Sequence, residues 1–386
     1  MFCPKCGKKN KEEAKFCEFC GSRIREDKVI LPKERKKLSK KTKIIVIVIC
    51  ALVLILGGGV LFLSNNSKPS KVATDYFLAY INDDTNKIYS FLDVPNSGLT
   101  SKQIFNKVFD NDDEDLISYE VVSVTEAKEA STAYVKIEYT LEDSRASKVA
   151  NIKLTKDKNK KFLIFDNWKI DTNSYLKENY EIKVPKDATL MLEGIKIDKE
   201  YKKSSDNYDT YIIPQMFQGE YEAIITLKDG LKLKQEINTN SYRTGKIKLL
   251  DNDEKELEKK ILETINNLYK NAIEGKNFND IKSEFEYKNS DLSDLENNYS
   301  SLANSVKYNE LKEFTIEEVD IEDISVDGSG KLKVTVDLDY NYTVKKYLSD
   351  ETVSKDADDT AYLTFDYIDG FKLVNMTSLP SYFSRF

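Results

Sequence analysis

The sequence predicts a multidomain α+β chain with a metal-bound head and one membrane-spanning helix. Three observations carry that expectation: two C-x-x-C pairs within the first 25 residues, an uncharged apolar run at 44–63, and a helix-then-strand periodicity that occurs twice, on either side of a stretch that reads as strands alone. A chain of 386 residues has room for two or three domains besides the head and the apolar run. Gly and Pro are scarce (14 and 7) while Tyr and Phe are plentiful (23 and 18), so the chain carries the side chains of packed cores rather than of disorder.

The head is residues 1–25. Cys3-Pro4-Lys5-Cys6-Gly7 is followed after ten residues by Cys17-Glu18-Phe19-Cys20-Gly21. Each pair fits a tight turn in which the glycine lets the backbone curl around the sulfurs, and the intervening residues form a short hairpin that brings the pairs together. Four thiolates at about 2.3 Å from one ion make a closed tetrahedral site with no position for water, which is structural rather than catalytic. A disulfide pair belongs to an oxidising compartment, and an iron–sulfur cluster fits this spacing less well, so Zn2+ on Cys3, Cys6, Cys17 and Cys20 is the expectation. So small a head has no core of its own, and the metal must supply most of its folding energy.

Residues 26–43 read as a flexible, basic, cytosolic linker. The first 43 residues hold 15 Lys/Arg and 6 Asp/Glu, and Lys33, Arg35, Lys36, Lys37, Lys40, Lys41 and Lys43 abut the apolar run. Such a stretch attracts anionic lipid headgroups, by about 1 kcal/mol for each basic residue near the surface. The apolar run, 44–63, is long enough at the helical rise to span about 30 Å, the hydrocarbon thickness of a bilayer. No cleavage site of signal-peptide type follows it. A retained transmembrane helix is therefore expected, with the basic N-terminus cytoplasmic and the remainder extracellular: a single-pass protein of the cell membrane. Cys50 within it reads as a small apolar filler.

The whole chain has a net charge of −7, so the basic leader leaves the rest strongly acidic, which makes nucleic acid an unexpected partner. Residues 70–172 start helically, with Val72, Tyr76, Phe77 and Tyr80 on one face, then Ile88, Phe91 and Leu92, then Ile104, Phe105 and Val108. The period next becomes two, at Ile117-Tyr119-Val121, at Ala133 to Leu141, at Ile152-Leu154, and from Phe162 through Phe165 to Trp168 and Ile170, giving an α+β domain. Residues 178–250 alternate throughout, at Tyr180-Ile182-Val184, Leu190-Leu192, Tyr221 to Leu227 and Leu231-Leu233, with turns at Glu193-Gly194, Gln218-Gly219 and Asp229-Gly230. Short strands with frequent turns predict a small β-sandwich, with Pro185 and Pro214 at strand ends or an edge. Residues 253–386 return to the first plan. Leu257, Ile261, Ile265, Leu268 and Ala272 form one helical stripe and Leu292, Leu295, Tyr299, Leu302 and Val306 another, followed by strands at Phe314–Ile324, Leu332–Val344, Ala361–Tyr367 and Phe371–Met376.

The chain contains no histidine, which removes the commonest general base and every Ser-His or Cys-His nucleophile pair. No catalytic residue is singled out, and an enzyme is not expected. Tyr340, Tyr342, Tyr362, Phe365 and Tyr367 either line a pocket in the last domain or simply fill its core. The acidic run from Asp110 to Asp115 lacks a calcium-loop pattern and reads as a solvated loop.

The order of these parts, a Cys-Pro-x-Cys-Gly and Phe-Cys-x-x-Cys-Gly ribbon, a basic linker, one anchor, then α+β and β modules, resembles the TcaA-like zinc-ribbon membrane proteins of Gram-positive bacteria. The resemblance implies NTF2-like folds for 70–172 and 253–386, an immunoglobulin-like fold for 178–250, and a role in the cell envelope and the response to glycopeptide antibiotics. The expected function is a non-enzymatic envelope protein that binds cell-wall material, a wall precursor or another envelope protein. The alternatives are a transmembrane sensor signalling through the ribbon and, more remotely, an extracellular enzyme with an NTF2-like pocket.

Overall fold

The computed structural model describes residues 1–25, 44–52, 63–109, 114–127, 129, 131–142, 146–160, 165–241, 244–287 and 290–386. The linker expected at 26–43, the second half of the apolar run, the acidic residues 110–113 and the strand start at 162–164 lie outside the described residues. The chain divides into two compact units, Met1–Leu63 and Ser64–Phe386.

In the first unit, the head is one turn built twice. The Cys3 N–H donates to Lys8 O at 2.9 Å and the Gly7 N–H to Cys3 O at 3.0 Å; the Cys17 N–H donates to Ser22 O at 2.7 Å and the Gly21 N–H to Cys17 O at 2.9 Å. Gly7 and Gly21 share φ +65°, a left-handed conformation that a side chain would strain, which is why each C-x-x-C is followed by glycine. Single bridges, Phe2 with Lys9 and Phe16 with Arg23, close the two halves.

The anchor expected at 44–63 is corrected here. Helix α1 is described over 44–52, the following residues 53–62 lie outside the described residues, and no described helix is long and apolar enough to cross a membrane. The nine described helical residues cover about 14 Å, against the roughly 30 Å of a bilayer's hydrocarbon core. The single-pass localisation, with a cytoplasmic N-terminus and extracellular domains, rested on that helix and falls with it.

The second unit opens with α2 (Pro69–Ile81), α3 (Thr85–Phe91) and α4 (Lys102–Val108). Pro69 occupies the first turn of α2, where its missing N–H costs nothing, and the Asp84 and Ser101 side chains cap α3 and α4 by accepting the N–H groups of Lys87 and Ile104. An antiparallel meander follows, β1 (Leu116–Ala127), β2 (Thr132–Leu141), β3 (Lys148–Lys156) and β4 (Trp168–Ile170), in that spatial order. Ala133, Val135 and Ile137 on β2 and Leu154 on β3 face the helices and are buried. Phe105 of α4 stacks on Phe109 at 4.8 Å and meets Phe217 edge-on at 4.9 Å, joining this block to the strands that follow.

Those strands form two interleaved sheets. β5 (Leu176–Pro185), β9 (Tyr208–Phe217) and β8 (Lys202–Ser204) make one, in the order β5-β9-β8. The other runs β12-β11-β10-β6-β7, from β6 (Thr189–Leu192), β7 (Ile195–Lys196), β10 (Glu220–Thr226), β11 (Lys232–Asn238) and β12 (Thr244–Leu249). Pro185 ends β5, whereas Pro214 sits within β9 at a point where no pair with β5 forms and beyond the reach of β8, so its missing N–H interrupts nothing. Asp209 is fully buried on β9. Its carboxylate meets Lys202 Nζ at 2.6 Å and Lys186 Nζ at 3.5 Å and accepts the Asp187 N–H at 2.8 Å. Burial alone would raise its pKa; the Lys202 contact and the other hydrogen bonds outweigh it and hold the carboxyl down at about 2.

The last block places α5 (Asp251–Ile273) and α7 (Ser293–Tyr308), with the short α6 (Phe278–Ile281) between them, against the meander β13 (Leu311–Val326), β14 (Leu332–Lys345), β15 (Thr352–Tyr367) and β16 (Phe371–Thr377). Asp251, Asp253 and Glu254 begin α5 and Lys270 ends it, matching the helix dipole, and its stripe Leu257, Ile261, Ile265 and Leu268 is buried. Tyr269 stacks on Phe314 at 3.6 Å between ring centres, and the C-terminal Phe383 packs on Tyr342 at 5.0 Å.

Candidate metal centre and a polar cleft

All four predicted ligands converge. The sulfurs of Cys3, Cys6, Cys17 and Cys20 lie within 4.8 Å of one another, with Cys3 and Cys20 at 3.6 Å and Cys6 and Cys17 at 3.5 Å. A tetrahedral thiolate site with bonds of about 2.3 Å has edges of about 3.8 Å, so the set fits one ion and leaves no open position. Cys3 and Cys17 are buried, Cys6 and Cys20 face outward, and none is in a disulfide.

The turns aim donors at the sulfurs. The Lys5 N–H lies 3.4 Å from Cys3 Sγ, and the Ser22 hydroxyl lies 3.1 Å from both Cys3 Sγ and Cys20 Sγ. Ser22 is the largest cause that draws the Cys3 thiol down to about 6. The Lys8 N–H draws Cys6 the same way, but the neighbouring thiols and burial outweigh it and push Cys6 up to about 12. Four sulfurs this close cannot all ionise unaided, and a dication is what their crowding favours.

Sequence reasoning missed Asn10. Its side chain is buried, donates to Cys17 Sγ at 3.4 Å and to Lys8 O at 3.0 Å, and accepts the Glu18 N–H at 2.9 Å. One carboxamide thus ties the first turn to the second and contacts a sulfur, an outer-shell role. The available signal was positional: Asn10 lies four residues after Cys6, where the second turn has Ile24 after Cys20.

The five aromatic candidates of the last block do not converge. Tyr340, Tyr342 and Phe365 are in the core, Tyr362 projects from the opposite face and is exposed, and Tyr367 packs edge-on against Phe371 at 5.1 Å. The Tyr340 hydroxyl donates to Asp359 at 2.8 Å; burial and that carboxylate raise its pKa, so it is no base. Cys50 is on the described part of α1.

A cleft of about 700 Å³ in the second unit was not foreseen. Asn106 and Lys107 of α4, Tyr175 ahead of β5, Gln218 in the β9–β10 turn, and Asn238 and Asn240 at the end of β11 line it. Asn106 donates to Asn86 at 3.0 Å, Gln218 to Leu176 O at 3.3 Å and Asn238 to Glu220 at 2.8 Å. The Asn106 and Gln218 side-chain oxygens and the whole Asn240 carboxamide keep hydrogen-bonding capacity among the described residues. Lys107 is ion-paired to Glu193, and that hydrogen bond raises its pKa. Below, the hydroxyls of Tyr76 and Tyr175 contact each other; burial pushes Tyr76 up to about 12 and Tyr175 higher still. Carboxamides, the Thr85 and Ser174 hydroxyls and the Tyr175 phenol, with Asp83, Lys107 and Glu220 beside them, offer the many donors and acceptors that a hydroxyl-rich ligand takes.

Comparison with known proteins gives three results. The zinc-ribbon domain family matches residues 2–24. No curated protein matches the chain. A solved structure described as "Ntf2 like protein involved in plasmid conjugation" is similar over 81% of this chain and 96% of its own, at 12% identity and a TM-score of 0.21. The N-terminus is therefore a zinc-ribbon domain with a four-cysteine metal-binding cluster, and the rest of the fold is read from its own sheets.

Proposed function

We propose that the chain is a non-catalytic binding protein whose body takes up cell-wall material in the polar cleft, and whose ribbon, folded by Zn2+ on Cys3, Cys6, Cys17 and Cys20, is a docking module. The observation that carries this reading is the cleft lined by Asn106, Gln218, Asn238 and Asn240, whose carboxamides match the hydroxyls and amides of wall glycan and stem peptide. The choice of wall material as ligand is supported only by the resemblance of the cysteine ribbon, basic linker and following α+β and β modules to TcaA-like proteins. Two further observations support a binding rather than a catalytic role. The chain has no histidine. Among the described residues, every carboxylate with a displaced pKa is displaced downward, Asp171, Asp209 and Glu222 among them, which disfavours these groups as general acids.

The test is calorimetric titration of the full chain with soluble disaccharide-peptide fragments of cell wall. Saturable binding is expected, lost in the Asn238→Ala/Asn240→Ala double variant. If the fragments do not bind, or bind the double variant equally well, the reading fails.

A further inference from the structure

β1 is the outermost strand of its sheet, and the outer row of its backbone N–H and C=O groups faces no strand among the described residues. Proteins usually blunt such an edge with Lys, Pro or a run of charge. From Leu116 to Ala127 there is no Lys, Arg or Pro. Ile117, Tyr119, Val121, Val122 and Val124 are instead 64%, 42%, 38%, 46% and 43% exposed. The last block shows the contrast, since its outermost strand β13 carries six carboxylates and buries Phe314, Ile316, Val319 and Ile324.

The register says what a partner meets. Tyr119, Val121 and Val124 stand opposite Tyr139, Ile137 and Val135, on the face that the helices cover over β2 but leave open over β1. Phe77 of α2 reaches Tyr119, at 5.9 Å between rings, and marks the limit of that cover. On the other face Glu120 stands directly opposite Glu138, and neither pairs with a cation among the described residues. Like charges in register repel unless a cation joins them.

We propose that β1 is a strand-addition site for an extended peptide segment of another protein in which apolar residues alternate with Lys or Arg. Its apolar side chains extend the open face at Tyr119, Val121 and Val124, and its cations meet Glu120 and Glu138. A second copy of β1 is a poor occupant, because it offers two carboxylates and no cation. The bulges at Ile117 and Val122 break the edge into short runs, which suits a finite peptide rather than open-ended stacking.

The probe is a short labelled peptide alternating Lys and Val, titrated into the full chain, beside a Glu/Val peptide and a scrambled Lys/Val peptide. The Lys/Val peptide is expected to bind saturably, with affinity lowered about tenfold or more by Val121→Lys and by Glu120→Lys and unchanged by Tyr362→Lys, an exposed position on another sheet. Unchanged thermal midpoints show that the variants fold, and hydrogen exchange is expected to slow at 118–121 and 123–127. Three results overturn the proposal: no binding, equal binding of the three peptides or of the variants, and a wild-type dimer that Val121→Lys converts to monomer, which assigns the edge to a second copy.

Discussion

Replacing Asn10 by Ala isolates what one outer-shell carboxamide contributes to metal affinity. The change removes the donor to Cys17 Sγ at 3.4 Å and the donor to Lys8 O at 3.0 Å, and leaves the Glu18 N–H without its 2.9 Å acceptor. At about 1 kcal/mol net for each hydrogen bond, the upper limit is about 3 kcal/mol. Glu18 is exposed, so water can recover part of its loss. The expected weakening of zinc binding is therefore about tenfold to a hundredfold, the range for outer-shell partners, or about 1.4–2.7 kcal/mol. Asn10→Asp separates donor from acceptor. It keeps the oxygen that receives the Glu18 N–H but sets a carboxylate beside the Cys17 thiolate, so it is expected to weaken binding more than Ala does. The assay is competition for zinc between the full chain and a chromophoric chelator under reducing conditions. Affinity of Asn10→Ala within about twofold of wild type, or Asn10→Asp binding more tightly than Asn10→Ala, would refute the assigned role.

Chelating the metal, or Cys17→Ser, is expected to abolish ordered amide signals for 1–25 while the melting of 64–386 stays unchanged, because each of the two compact units has its own internal contacts; a common shift would contradict this. Asp209→Ala strands Lys202, whose side chain is only 12% exposed, and is expected to cost about 3–5 kcal/mol in urea unfolding. The folded pKa of Asp209 is depressed to about 2, so its contribution is present above about pH 4 and lost as pH falls toward 2; the Ala variant's stability should therefore depend less on pH in that window. Gly219→Ala is expected to destabilise by about 1–3 kcal/mol, since a Cβ there overlaps the Val108 carbonyl and φ is +150°; an unchanged melting temperature would show that α4 gives way freely.

The cysteine pairs were legible because metal ligation demands one residue type at fixed spacing, and no packing context changes that demand. Asn10 was not, since an Asn amid lysines reads as a turn and its value lies in what the fold brings beside it. Helical stripes such as Leu257 to Leu268 announced their buried faces directly. β9 escaped notice because Asp209 and Pro214 interrupt its alternation, the first tolerated through Lys202 and the second through an unpaired position. The first half of β15, Thr352–Thr360, is polar except for Val353 and Ala357, and β14 pairs with it residue for residue. The exposed apolar residues of β1 looked like ordinary strand alternation, and only the sheet order shows that no described strand pairs with its outer edge. The run at 44–63 shows the converse, a composition suited to lipid where no described helix is of crossing length.

The interleaving of the two central sheets constrains how the chain reaches its final form. In the outer blocks each strand pairs with the next along the sequence, so hairpins can zip from nearby turns with little closure entropy. In the centre β5 must wait for β9, and β6 must find β10 across the intervening β7, β8 and β9. Contacts of high sequence separation slow folding, so the central strands are expected to consolidate last, against blocks already formed on either side. Gln218, Asn238 and Asn240 belong to that late region, so the polar cleft acquires one of its walls only when the slowest pairing is complete.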